Sequence, residues 1–271
     1  MLIYLFISVY RYIGTSKNVK QILNYCILYL SSMNSNNKIR INENYILKCG
    51  YNSHWEYRVA QLLEKDNISV NGCGYDTETN TLWIPRLDTD IFDYIYTRQK
   101  RITKIEFHDF IFQLTKHILK MHTFGIIHCD IKLENIVLEK DTMKLFLIDF
   151  ELSMFHGNID TIRGTKGYIL PGEISTKNIQ GKYIKDIYAF LVTISALLNI
   201  PDLSQFFDTN DEAFKMYGMK ILQYYNKIYD SKDNDLMKTF IDCFTNTRHN
   251  DWEDIHHVCR ENLLSAANAL I

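Results

Sequence analysis

The chain has 271 residues, 46% hydrophobic and 13% aromatic, which suits one large domain or two small lobes with real cores and excludes a peptide or disulfide-stapled miniprotein. Thirty Lys and Arg against 32 Asp and Glu leave a formal charge of -2. That excludes a global basic field that recruits nucleic acid, and an acidic disordered tail.

Residues 1–32 differ from the rest. Met1 to Tyr10 is almost wholly apolar, and Ile22 to Leu30 is a second apolar run, with Arg11, Lys17 and Lys20 between them. Neither run reaches the roughly 18–20 residues of a membrane span, so no span is expected. The first run also lacks the basic n-region and small-residue cleavage site of a signal peptide. The segment reads as an extra packed strand or helix, or an extension upstream of a start at Met33, with a signal or anchor as the minor alternative. Cys26, Cys49, Cys73, Cys129, Cys243 and Cys259 form no C-x-x-C pair. They read as reduced thiols of a cytoplasmic protein, neither a zinc site nor a disulfide framework.

From Lys38 the pattern is strand-like. Lys38–Ile41 and Tyr45–Lys48 flank a polar Asn-Glu-Asn turn and predict a tight hairpin. His54 to Lys65 places Val59, Leu62 and Leu63 on one face and predicts a helix. Thr81–Pro85 reads as another strand, followed by an element over Asp90 to Arg98. A long helix over Phe107 to Thr123 follows, with Phe107, Phe110, Ile111, Leu114, Ile118 and Met121 at helical spacing. A second hairpin spans Asn135 to Phe150 with its turn at Glu139 to Thr142. Beyond residue 180 the pattern is helical. The order predicts an α+β fold: a strand-rich part leading into a larger helical part, joined near Leu87.

The chemistry-bearing residues lie between 128 and 151. His128, Asp130, Lys132 and Asn135 form an H-x-D-I-K-x-x-N string, and Asp149 stands fourteen residues beyond Asn135 within Leu-Ile-Asp-Phe-Glu. Two carboxylates and an amide around a loop and a strand end can hold Mg²⁺ through oxygen while one carboxylate orients a hydroxyl. Phosphoryl transfer needs such a set. Asn135 and Asp149 are the metal candidates, Asp130 the group that accepts or orients the hydroxyl, and Lys132 the cation for the migrating phosphoryl group.

These residues resemble the eukaryotic-type Ser/Thr protein kinase family over about residues 31–260, in which the string is the catalytic loop and a following D-F-G binds metal. The resemblance extends outward. His122 and Gly125 fit the end of the helix before the loop, and Gly164 to Glu173 fits the end of an activation segment with Gly172 as an extra residue. Lys185 to Leu198 fits the buried helix whose acid, here Asp186, accepts hydrogen bonds from the catalytic-loop backbone. Arg248 fits the arginine that pairs with Glu173, and Thr165 fits the hydroxyl that bridges Asp130 and Lys132.

The resemblance implies a two-lobed kinase-like fold, with an N-lobe over 33–87, a C-lobe over 88–271, and ATP between them. Lys48 resembles the strand lysine that contacts the α/β-phosphates and Glu56 its helical partner. Ile84 and Leu87 fall at the adenine slot, and Asp90 is placed for the ribose. The glycine-rich loop is missing; its best counterpart is Ser32-x-Asn34-x-x-Asn37-x-Ile39, where Asn34 and Ile39 are the nucleotide candidates. Cys129 replaces the arginine of H-R-D, removing the cation that reads a phosphorylated activation loop. Glu151 replaces the glycine of D-F-G, and either stiffens the switch or offers a cation another carboxylate.

Three readings follow: a Ser/Thr kinase using Mg²⁺ and ATP on a protein substrate, a pseudokinase binding module, or a small-molecule kinase of the choline or aminoglycoside type. The charged set favours the first. The missing glycines and Glu151 favour the second, and the activation segment with Arg248 speaks against the third. A large DNA virus is the source that the compact lobe and trimmed loops suggest.

Overall fold

A computed structural model describes residues 38–41, 44–97, 102–160, 163–169, 179–180, 182–200, 211–229, 235–245, 264–266 and 268–269. The chain divides into two compact units: residues 1–58 with 72–86, and residues 59–71 with 87–271. Leu87 and the stretch 59–71 therefore group with the larger unit.

The smaller unit is built on a four-stranded antiparallel sheet in the order β1-β2-β4-β3. Strands β1 (Lys38–Ile41) and β2 (Tyr45–Cys49) form the expected hairpin, with Ile39 opposite Lys48 and Ile41 opposite Ile46. A tight loop leads into helix α1 (Ser53–Glu64), where the Ser53 hydroxyl donates back to the Lys48 carbonyl at 3.4 Å. Strand β3 (Gly74–Asp76) is an element that the sequence pattern does not announce. It pairs with β4 (Thr81–Pro85), Gly74 facing Trp83. A Cβ on Gly74 would sit 2.1 Å from the indole ring, so the pairing requires glycine there. Tyr57 of α1 stacks on Tyr75 of β3 with centroids 5.7 Å apart.

In the larger unit, β5 (Thr89–Asp90) runs into helix α2 (Ile91–Thr97), which Asp90 caps by accepting the Asp93 N–H at 2.8 Å. Helix α3 (Lys104–Thr123) starts three residues before the apolar periodicity does. Its first turn carries exposed Ile105, so only the Thr103/Glu106 capping box marks that start. The predicted stripe from Phe107 to Met121 is buried. Full burial of each of its large side chains stabilises the fold by about 1.5–3 kcal/mol.

Strand β6 (Ile126–Ile127) precedes the hairpin of β7 (Ile136–Glu139) and β8 (Lys144–Leu147), and β5 adds to β7 as a third strand. Strand β9 (Met154–Phe155) returns to pair with β6. Helix α4 (Ile184–Leu197) is buried on nearly every side, as its continuous apolar sequence requires. Helices α5 (Asp211–Tyr229) and α6 (Asp235–Thr245) follow, and His108 of α3 bonds the Tyr225 hydroxyl of α5 at 2.6 Å. The observed order is the expected α+β arrangement. Among the described residues no helix is long and apolar enough to cross a membrane.

Candidate active site

Strand β6 ends in the loop 128–132 and a single 3-10 turn, Leu133–Asn135. This short path brings Asp130, Lys132 and Asn135 together. Lys132 Nζ donates to Asp130 Oδ2 at 2.6 Å, and Asn135 Nδ2 donates to the Asp130 carbonyl and to Oδ2, both at 2.9 Å. Thr165 closes the cluster: its N–H donates to Asp130 Oδ1 at 2.9 Å, and its hydroxyl accepts from Lys132 at 2.6 Å. All three loop side chains are buried. Such a burial is tolerable because each charge is paired and hydrogen-bonded. A carboxylate offers about four acceptor sites. Among the described residues the Asp130 carboxylate uses three of them, which leaves one for an incoming hydroxyl.

The loop is held from below by Asp186, which is fully buried at the start of α4. Its Oδ2 accepts the His128 N–H at 2.8 Å and bonds His122 Nε2 at 2.9 Å, while Oδ1 accepts the Cys129 N–H at 2.9 Å. Cys129 has φ 66°, a left-handed conformation that costs a non-glycine residue roughly 1–2 kcal/mol. Its thiol lies in a small apolar cluster with Ile127 and Met154, against Leu152 and Tyr183. Gly164, also at positive φ, passes so close that a Cβ on it would lie 2.6 Å from the Cys129 carbonyl oxygen. The left-handed Cys129 and its contact with Gly164 have no signature in residue type. Asn and Asp dominate such positions, and cysteine gives no warning.

The register of β7 and β8 then sets the metal candidates. Ile136 faces Leu147, so Asn135 faces Ile148, whose N–H donates to the Asn135 carbonyl at 3.0 Å. Asp149 follows immediately, half-buried and left-handed at φ 66° and ψ 58°. His128 steadies this corner: its Nε2 donates to the Ile148 carbonyl at 3.1 Å, and its ring lies 4.9 Å from that of buried Phe150. Asn135 Nδ2 thus makes two bonds to Asp130, and among the described residues its Oδ1 accepts no hydrogen bond. An amide oxygen and a carboxylate at one hairpin end form an oxygen donor set that fits a hard divalent cation.

In the smaller unit Lys48 and Glu56 form an ion pair at 2.7 Å with side-chain exposures of 15% and 2%. Ile39, Lys48 and Leu82 are cross-strand neighbours on one face, and Ile84 lies two residues along that face. Leu82 and Ile84 are buried and Ile39 is exposed. Leu87 is half-buried in the larger unit, and Asp90 serves as the cap of α2. Asn34, with Ser32, Asn37, Thr161, Gly172, Glu173 and Arg248, lies outside the described residues.

The protein kinase domain profile matches residues 35–261. Over 111 residues the chain is 35% identical to the serine/threonine-protein kinase ppk6 of Schizosaccharomyces pombe, covering 40% of this chain and 14% of that one. Over 132 residues it is 30% identical to serine/threonine-protein kinase 1 of Heliothis zea nuclear polyhedrosis virus, covering 47% and 48%. The chain thus spans less than half the length of these curated relatives. The solved structure of the Cydia pomonella granulovirus kinase, PK-1, superposes with a TM-score of 0.56 at 17% identity, over 90% of this chain and 98% of that one, and shares the fold. With the profile spanning most of its length and the solved kinase sharing its architecture, the chain belongs to the protein kinase domain family.

Proposed function

We propose that this chain transfers the γ-phosphoryl group of ATP to Ser/Thr hydroxyls of a protein substrate, with Mg²⁺ as the divalent ion, in a cytoplasmic setting. The observation that carries the reading is the Asp130 cluster, a buried carboxylate with one acceptor site left and a lysine at 2.6 Å. Two relatives named as serine/threonine-protein kinases support the substrate class. Cys49, Cys73 and Cys129 are thiols and not disulfides, in keeping with a reducing compartment.

In this mechanism Asp130 accepts the hydrogen bond of the substrate hydroxyl and turns its oxygen toward the γ-phosphorus. The new O–P bond forms as the bond to the β–γ bridging oxygen breaks, ADP departs, and the hydroxyl proton passes to Asp130. Lys132, fixed between Asp130 and Thr165, offsets negative charge on the migrating group. Asn135 and Asp149 would hold the divalent ion, which when bound neutralises phosphate charge. Lys48, oriented by Glu56, serves the α/β-phosphates; Asn34, Ile39, Ile84, Leu87 and Asp90 are assigned to the rest of the nucleotide.

The test is radiolabel transfer from Mg-ATP to a generic basic protein, beside a choline and aminoglycoside panel, with Asp130→Asn as the control. Label on Ser/Thr that vanishes in the control supports the proposal. Label on the small molecules alone, or none with parent protein that binds Mg-ATP, sinks it.

A further inference from the structure

Glu151 follows Asp149 by two residues, and the two carboxylates offer oxygens within 4.8 Å of one another. Like charges that close disfavour each other, and a bound cation relieves the repulsion. The position of Glu151 is imposed by its neighbours. It lies in the 3-10 turn Phe150–Leu152, between buried Phe150 and buried Ser153. The Ser153 N–H and hydroxyl both donate to the Phe150 carbonyl, at 3.0 and 2.6 Å. The turn is closed, so Glu151 is held beside Asp149.

A separate feature at the same hairpin end points to a cation. Asn135 is 3% exposed, its Nδ2 donates twice to Asp130, and among the described residues its Oδ1 accepts no hydrogen bond. Its backbone is tied to Ile148, the residue before Asp149. An amide oxygen that no protein donor occupies is open to a ligand, and a hard cation is one that oxygen ligands satisfy.

We infer that Glu151 is a third protein ligand, with Asn135 and Asp149, to the divalent cation, and that this extra carboxylate lets the chain bind the cation before any nucleotide arrives. Magnesium sites in phosphoryl-transfer enzymes usually combine one or two carboxylates with substrate phosphates, so the cation arrives with the nucleotide. A further anionic oxygen raises the ligand charge that tunes cation affinity. The inference rests on the metal site proposed above and concerns its occupancy, not the transfer step.

The test is a titration of the full, nucleotide-free chain with Mn²⁺, following the free ion by electron paramagnetic resonance. The parent should bind one ion, and Glu151→Gln, which keeps shape and removes charge, should weaken binding about tenfold or more, as should Glu151→Gly. Melting each variant without metal checks the fold. Equal Mn²⁺ affinity in parent and Glu151→Gln overturns the inference, and so does a parent that binds no Mn²⁺ without nucleotide. Phosphate transfer is read separately. A parent that binds Mn²⁺ through Glu151 but transfers nothing sinks the kinase proposal alone.

Discussion

Asp186 holds Cys129 in a conformation that cysteine disfavours: its Oδ1 accepts the Cys129 N–H at 2.9 Å while Cys129 sits at φ 66°. The other carboxylate oxygen takes the His128 N–H and His122. Asp186→Ala would leave two buried N–H groups without acceptors and release the loop that carries Asp130. The expected loss is roughly 3–5 kcal/mol in urea denaturation, with transfer abolished even in the fraction that remains folded. A loss below about 1 kcal/mol would show that the loop is held by other contacts.

Gly164→Ala tests the close approach on the other side of the loop. Gly164 has φ +126°, and an added Cβ would meet a backbone atom, the Cys129 carbonyl oxygen, at 2.6 Å. Thr165 is the next residue, so the clash shifts its N–H away from Asp130. Transfer should fall by an order of magnitude or more while the melting temperature drops by only a few degrees, since the defect is local. Unchanged transfer would mean that the Thr165 bridge tolerates displacement.

How much of this could be seen in the sequence depended on the kind of signal. Helix α3 follows from apolar periodicity, and the hairpins, with β1, β2 and β4, from short strand runs about polar turns; α4, apolar on nearly every side, is marked by the family resemblance within a helical region. Strand β3 is three residues long and contains a glycine, too little for a period. Its existence depends on Trp83 covering Gly74, a tertiary fact. The cluster of Asp130, Lys132 and Asn135 was legible because a short loop forces close spacing to become close contact. Lys48 and Glu56 are eight residues apart and still pair, because the chain turns directly from β2 into α1. Asp186 and Thr165 lie far along the chain, and only the family resemblance pointed to them.

Thr165 should be required for the cluster and not for regulation. Thr165→Ala removes the hydroxyl that Lys132 bonds at 2.6 Å, and Thr165→Ser keeps it. The first should cut transfer at least tenfold and the second should restore most of it. Phosphatase treatment, or Thr161→Ala, should leave transfer nearly unchanged, because Cys129 supplies no cation for a phosphate and its thiol is buried among apolar side chains. Loss of transfer on phosphatase treatment would establish a phosphorylation switch.

Asp149→Ala should abolish Mg²⁺-dependent ATP binding measured by calorimetry, and Asn135→Ala should weaken it less. A carboxylate is the stronger ligand for a hard cation than a neutral amide oxygen. Asn135→Ala has a second effect, since it also removes two donors from Asp130. It should therefore lower the transfer rate more than its effect on ATP affinity predicts. Equal ATP affinity with and without Mg²⁺ in the parent would count against both assignments.

The last expectation concerns acid. His117 is buried in α3, and its Nε2–H donates to the Leu145 carbonyl at 2.9 Å, tying the helix to β8. Burial disfavours the charged ring and lowers its pKa from 6.5 to about 4; the Leu145 bond pulls the other way, and Lys116 adds a smaller lowering. The ring is neutral in the fold, whereas the unfolded chain takes up a proton once the pH falls below about 6.5. Unfolding is therefore favoured as pH drops through the window between those values, and the effect levels off once the folded ring also protonates near 4. The loss from this group is roughly 2 kcal/mol between pH 7.5 and 5, approaching about 3 kcal/mol at pH 4. His117→Gln can still donate to Leu145 and does not titrate. Unfolding free energies from urea titrations at pH 7.5 and 5 should fall less for the variant than for the parent by about 2 kcal/mol; parallel acid losses would show that His117 is protonated in the fold or contributes nothing to acid sensitivity.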